Sequence, residues 1–414
     1  MGSTFEAAKH GHLGSEPPGV DPAHQFFACL LEATRVVEDQ KALHAHAVVH
    51  QQTGNAPGTA RGLRRVVLTH GSTADDAAVG LHAKQCAAEN IAAGVTLAGT
   101  LTLPKGEGPF PAAILITGSG GQNRNEEIFQ HKPFWVIADH LTRGGIAVLR
   151  VDDRGVGGST AGDNPGQATS FDFAGDVGAG MDFLRAHARI APDKIGLIGH
   201  SEGGIIAPLV ARERDDVAFA VLLAGTGVRG DKLLLMQHAA IMRASDIDEE
   251  TISAACAAQE RLFATVLDSA LSPQELETRL TRAIQEEEEF QKASAEDQAQ
   301  GLKTALAQLT NPWMVTFIRH DPAAVLRKVR CPVLALNGEL DLQVPFKANL
   351  DAIARALKAA QNPDFSTRAF PGLNHLYQHC ETGLITEYGK IEETFSVEVL
   401  EVMRAWIGER VIAR

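Results

Sequence analysis

The sequence predicts an α/β protein: a mostly parallel sheet flanked by helices, with a helical cap inserted late in the chain. Three observations carry this reading. From Ala93 onward, short apolar runs alternate with stretches of helical period, as in a parallel sheet covered on both faces. Over residues 195–206 an apolar strand, the pentapeptide Gly199-His200-Ser201-Glu202-Gly203 and a helix follow one another without a gap. Between Gly230 and Arg330 the alternation stops, and Ala-, Leu-, Glu- and Gln-rich sequence of helical period takes over.

In chain order, residues 1–88 read as an N-terminal extension of uncertain structure. Residues 25–37 suggest a helix, 63–69 a strand and 51–61 a loop, and His44, His46, His50 and His70 form no metal-binding pattern. The core is expected at 89–229 and 331–414. Val95, Leu97, Leu101 and Leu103 predict β structure with a kink at Gly99, closed by Pro104. Strands follow at 112–117, 145–151, 195–198, 218–224, 333–336 and 367–370. Helices are predicted at Pro133–Arg143, 171–187, after 203, at 346–360 and at 397–407. The cap is placed at 230–330, with the charge run Glu286 to Glu289 as a solvated helix face.

Bulk composition narrows the function. The chain has 414 residues, 44% of them hydrophobic, enough for one large α/β domain with insertions. A net charge of -13 argues against a general nucleic-acid or anionic-membrane partner. Five scattered cysteines without a Cys-x-x-Cys pair fit a reduced chain with neither disulfide framework nor zinc site. No apolar run is long enough to span a membrane, and the first 22 residues lack a signal-peptide core, so a cytoplasmic location is expected. Oligomeric state is open, and a homodimer is compatible with the sequence.

The chemistry centres on Ser201. Gly-x-Ser-x-Gly between a strand and a helix is a nucleophile elbow, which thrusts the serine out at the carboxyl end of the sheet. A neutral serine hydroxyl needs a base that titrates near neutrality and a group that orients that base. Among the 16 histidines, His375 is best placed, in a Pro-Gly loop directly after the last strand; His379 is its rival. Asp341, in the loop after the preceding strand, is the expected acid, with Glu339 as competitor. The order Ser201, Asp341, His375 is the one this elbow architecture calls for. An oxyanion hole requires two backbone N–H groups: Glu202, after the nucleophile, and either Ser119 or Gly120 in the loop after the 112–117 strand. Gly120 and Trp313 are expected in the substrate pocket. Trp313 and Phe317 either wall the acyl site or only pack the cap onto the core. Arg154 reads as a clamp for its own Asp-rich loop, in preference to an anion-binding residue.

With these residues in place, the chain resembles the α/β-hydrolase superfamily. Within it, the chain is similar to bacterial serine carboxylesterases that carry Gly-Ser-Gly-Gly-Gln-Asn-Arg-Asn-Glu (118–126 here), Asp-Asp-Arg-Gly-Val-Gly-Gly-Ser (152–159), Gly-His-Ser-Glu-Gly-Gly (199–204), Asn-Gly-Glu-Leu-Asp-Leu-Gln-Val-Pro (337–345) and Gly-Leu-Asn-His (372–375). The resemblance runs from about residue 93 to the C-terminus. It implies an α/β-hydrolase fold, Ser201 as nucleophile, Asp341 as acid and His375 as base. It also implies hydrolysis of short-chain acyl esters, small molecules such as p-nitrophenyl acetate or butyrate, with no cofactor and no metal. The alternatives are a thioesterase or prolyl-type peptidase using the same three residues, and a catalytically dead receptor on the same fold. A peptidase usually needs a carboxylate or arginine for the peptide terminus, and the sequence identifies none.

Overall fold

The computed structural model describes residues 82–412. The helix, strand and loop expected within residues 25–69 lie outside the described residues, as do His44, His46, His50 and His70. The described strands are β1 (His82–Asn90), β2 (Val95–Leu103), β3 (Phe110–Ile116), β4 (Ala147–Val151), β5 (Ile190–His200), β6 (Ala220–Leu223), β7 (Val333–Gly338) and β8 (Phe365–Phe370). They form one sheet in the order β1-β2-β4-β3-β5-β6-β7-β8. β2 pairs antiparallel with β1 and β4; every pairing from β4 to β8 is parallel.

Parallel neighbours need crossovers, and helices supply them. α1 (Pro133–Arg143), α2 (Ser170–Arg185) and α3 (Gly203–Ala211) link β3 through β6. Between β6 and β7 come α4 (Gly230–Ala244), α5 (Glu249–Leu267), α6 (Pro273–Gln285), α7 (Glu288–Lys292), α8 (Ala295–Leu309), α9 (Pro312–Arg319) and α10 (Pro322–Leu326). After β7 come α11 (Phe346–Ala359), then α12 (Ile385–Tyr388) and α13 (Val397–Val411) beyond β8.

Strand alternation divides the core into two faces. On one, Ile114, Leu197 and Leu222 meet Met181, Ile206 and Ile353 from α2, α3 and α11. On the other, Leu115, Ile198 and Val221 meet Phe134, Met403 and Ile407 from α1 and α13. Burial on both faces explains why these strands read as unbroken apolar runs. The inserted helices pack a third cluster, including Leu262, Leu280 and Ile318, which also takes in Ile205 and Leu209 of α3.

Three expectations need correction. β1 crosses the boundary drawn at residue 88: its sequence, HAKQCAAEN, has no β-type alternation, and full-length pairing with β2 holds it in the sheet. β2 runs through Gly99 as one strand. Glycine is needed there because a Cβ would lie 2.8 Å from the Arg150 carbonyl oxygen of the neighbouring strand. The run Glu286 to Glu289 straddles the break between α6 and α7 and is not one helix face. Among the described residues no helix is long and apolar enough to cross a membrane.

Candidate active site

β5 ends at His200 and α3 starts at Gly203, leaving Ser201 at the turn. Ser201 has φ +52°, a left-handed conformation that non-glycine residues adopt only under constraint. Its N–H is held by the Leu223 carbonyl at 2.8 Å, and its own carbonyl accepts from Gly204 at 2.9 Å. Position 203 must be glycine, since a Cβ would lie 2.2 Å from the Ile116 carbonyl oxygen on β3. The chain therefore turns tightly enough to leave Ser201 at the carboxyl end of the sheet, beside the N-terminus of α3.

His375 follows β8. Its Nδ1 lies 2.8 Å from Oδ2 of Asp341, which is 3% exposed. The other oxygen, Oδ1, accepts the backbone N–H of Gln343 and of Val344, each at 2.8 Å. A carboxylate so committed fixes the tautomer, with the proton on Nδ1 and Nε2 left as acceptor. The loop bearing His375 is itself anchored, because the Tyr377 hydroxyl donates to Leu336 and accepts from Ala224, each at 2.7 Å. The rivals lie elsewhere: Glu339 is exposed, and His379 is exposed and paired with Glu393 at 2.8 Å.

Ser201 and His375 line one small chamber of about 60 Å³, together with Ser119, Glu202, Trp313 and Phe317. Gly118 N–H is turned away to Oε1 of Glu126 at 2.7 Å. Of the two candidates for the second oxyanion donor, Ser119 lines this chamber, and Gly120 lines a neighbouring cleft that also touches Trp313. Trp313 and Phe317 stack at 5.3 Å, so they wall the chamber and pack the cap at once.

Four polar contacts at the site had no local signal in the sequence. The Glu202 side chain, 2% exposed, accepts from the Ser170 hydroxyl at 2.6 Å and from Trp313 Nε1 at 2.7 Å, tying cap to elbow. His200 places Nδ1 3.0 Å from Glu126 Oε1 and Nε2 3.0 Å from the His375 carbonyl. Burial, the largest single influence, disfavours a charged His200 ring, but the Glu126 carboxylate, the His375 carbonyl and Asp341 together outweigh it and the pKa is raised. Glu126 closes the 118–126 stretch, which was the one available pointer to its importance. Arg154 is a clamp, but not for its own loop: it grips Asp176 on α2 through Nε (2.7 Å) and Nη2 (2.9 Å). Asp152 is held instead by Arg124, through Nε at 3.0 Å and Nη2 at 2.7 Å.

A family model described as "Serine aminopeptidase, S33" matches residues 133–379, more than half of the chain. The chain belongs to this α/β-hydrolase family. The hydrolase is 30% identical over 158 residues to the esterase EstD of Thermotoga maritima, an alignment covering 37% of each chain. Among solved structures it is similar to Est1E from Butyrivibrio proteoclasticus with bound ferulic acid, at 20% identity and TM-score 0.46, over 79% of this chain and 99% of that one. It is also similar to the Pyrococcus furiosus esterase Pf2001, at 13% identity and TM-score 0.47, over 85% of this chain and all of that one (100%).

Proposed function

We propose that the protein is a serine carboxylesterase. The observation that carries this is that His375, its ring tied to buried Asp341, lines the same chamber as Ser201. In the proposed reaction Ser201 Oγ bonds to the ester carbonyl carbon while its proton passes to His375 Nε2. The carbonyl oxygen becomes an oxyanion held by the N–H groups of Glu202 and Ser119. Its collapse breaks the ester C–O bond, and His375 returns the proton to the departing alcohol. Water then attacks the acyl-enzyme by the same route, releasing the acid and restoring Ser201. Asp341 orients the imidazole and stabilises it when charged. The likeness to EstD favours esters as substrates.

The family description favours a second reading, an aminopeptidase. That activity needs a free acidic group to receive the substrate's amino terminus. The two glutamates lining the chamber are already engaged, Glu126 by Gly118 and His200 and Glu202 by Ser170 and Trp313, which counts against it. A thioesterase uses the same chamber, and parallel assays on esters, acyl-thioesters and aminoacyl amides separate the three.

The reading is tested with p-nitrophenyl acetate and butyrate. Ser201→Ala is expected to lower kcat about 10³-fold or more with the fold intact. A fluorophosphonate should label wild type at Ser201 and leave the variant unlabelled. Retention of near-wild-type turnover by the variant excludes Ser201 as nucleophile, and an unreactive wild-type protein points to the dead-receptor alternative.

A further inference from the structure

Two cavities share Trp313 and Met314 in their walls. The chamber at Ser201 holds about 60 Å³. One water occupies about 10–15 Å³ on this scale, so the chamber takes only a few non-hydrogen atoms. The second cavity, of about 450 Å³, lies between Gly120 and Gly121, the 153–168 loop, and helices α8 and α9. Trp313 and Met314 line both cavities, whereas Ser201 and His375 line only the small one.

We infer that the large cleft receives the acyl half of the ester and the small chamber the alcohol half, so that preferred substrates join a bulky, uncharged acyl group to a small alcohol. The inference rests on the esterase reading above. The leaving oxygen takes its proton from His375, so the alcohol must lie within hydrogen-bond reach of that ring, in the small chamber. The carbonyl oxygen is directed at the N–H groups of Ser119 and Glu202. The remaining branch on the carbonyl carbon points away from His375, past Gly120 and Trp313, where the larger space lies.

The cleft also sets the chemistry of that branch. Its one guanidinium, Arg154, is neutralised by Asp176. Burial, with the carboxylates of Glu126 and Glu202 nearby, pushes Asp153 up to about 8 despite hydrogen bonds from Thr117 and the Gln122 N–H. Near neutral pH the cleft thus offers no uncompensated charge to an ionic acyl group. Phe173, Trp313 and Met314 give it apolar walls, and Asn164, Thr304 and Asn311 give it neutral polar ones.

Methyl phenylacetate and benzyl acetate are isomers that differ only in which side of the ester carries the ring. The full-length chain should hydrolyse methyl phenylacetate with a kcat/KM at least about fivefold above that for benzyl acetate. Ala307→Trp on α8, placed to fill the cleft, should collapse this ratio toward one; Thr304→Trp on the same helix is the second such variant. A smaller wild-type ratio, an inverted one, or a ratio that neither folded variant alters overturns the placement. Methyl acetate, small on both sides of the ester, is assayed alongside. Its hydrolysis by Ser201→Ala at the wild-type rate, or the absence of hydrolysis in wild type, sinks the esterase reading itself. Ser201-dependent hydrolysis with the wrong ratio sinks only the acyl placement.

Discussion

His200 stands between two groups that can only accept. The carbonyl of His375 requires a proton on Nε2, and the Glu126 carboxylate, which already accepts from Gly118, requires one on Nδ1. A protonated ring satisfies both, and in that form it ties the loop after β3 to the loop bearing the proposed base. Its pKa is raised on folding, so its contribution to stability is fully present below the unfolded value of about 6.5. That contribution is lost as pH rises through the higher folded value. Thermal unfolding of wild type and His200→Asn, followed from about pH 6 to pH 9, should show a Tm gap that narrows as pH rises. A gap independent of pH means that the ring is neutral in the folded protein. Glu126 and His200 are 74 residues apart, and no periodicity or spacing links a loop glutamate to a strand-end histidine at that distance. That His375 meets Asp341 and shares a chamber with Ser201 was legible because each of the three follows a strand in a fixed order along the chain.

At the scale of elements, the junction of β5 and α3 has no slack. An added methyl at position 203 meets the β3 backbone, which cannot rotate aside as a side chain can. Gly203→Ala is expected to destabilise the protein by about 3 kcal/mol in urea unfolding, and to lower the proposed ester hydrolysis by displacing the Glu202 N–H assigned to the oxyanion. Unchanged stability would mean that helix and strand are further apart than described. The helix Pro133–Arg143 was legible to the residue because proline opens it and glycine follows it. β1 was not, because lysine, glutamine and alanine carry no strand pattern and only its partner orders it. The Trp313 to Glu202 bond was also hidden: its partners are 111 residues apart, and nothing in the sequence pairs an elbow glutamate with a tryptophan of the inserted helices.

At the scale of the molecule, the helices between β6 and β7 are more than an appendage. Their apolar cluster includes Ile205 and Leu209 of α3, the helix that carries the elbow. Replacing residues 230–330 by a short Gly/Ser linker strips the cover from this apolar surface. The product is expected to aggregate and bind a hydrophobic dye, read by size exclusion and fluorescence. A monodisperse, active product would instead show that the helices are separable from the core. The run of helices between β6 and β7 was readable as an interruption of strand–helix alternation. Its internal packing was not, since seven helices can stack in many ways with the same periodicity.

The left-handed backbone at Ser201 has an evolutionary corollary. On the esterase reading this backbone serves to present a hydroxyl, so thermostability and turnover make opposing demands on a single codon. Glycine would relax the main chain but would remove the proposed nucleophile. A descendant released from its chemistry has a downhill path open at that site, and a serine retained there marks a chain still selected for what it does.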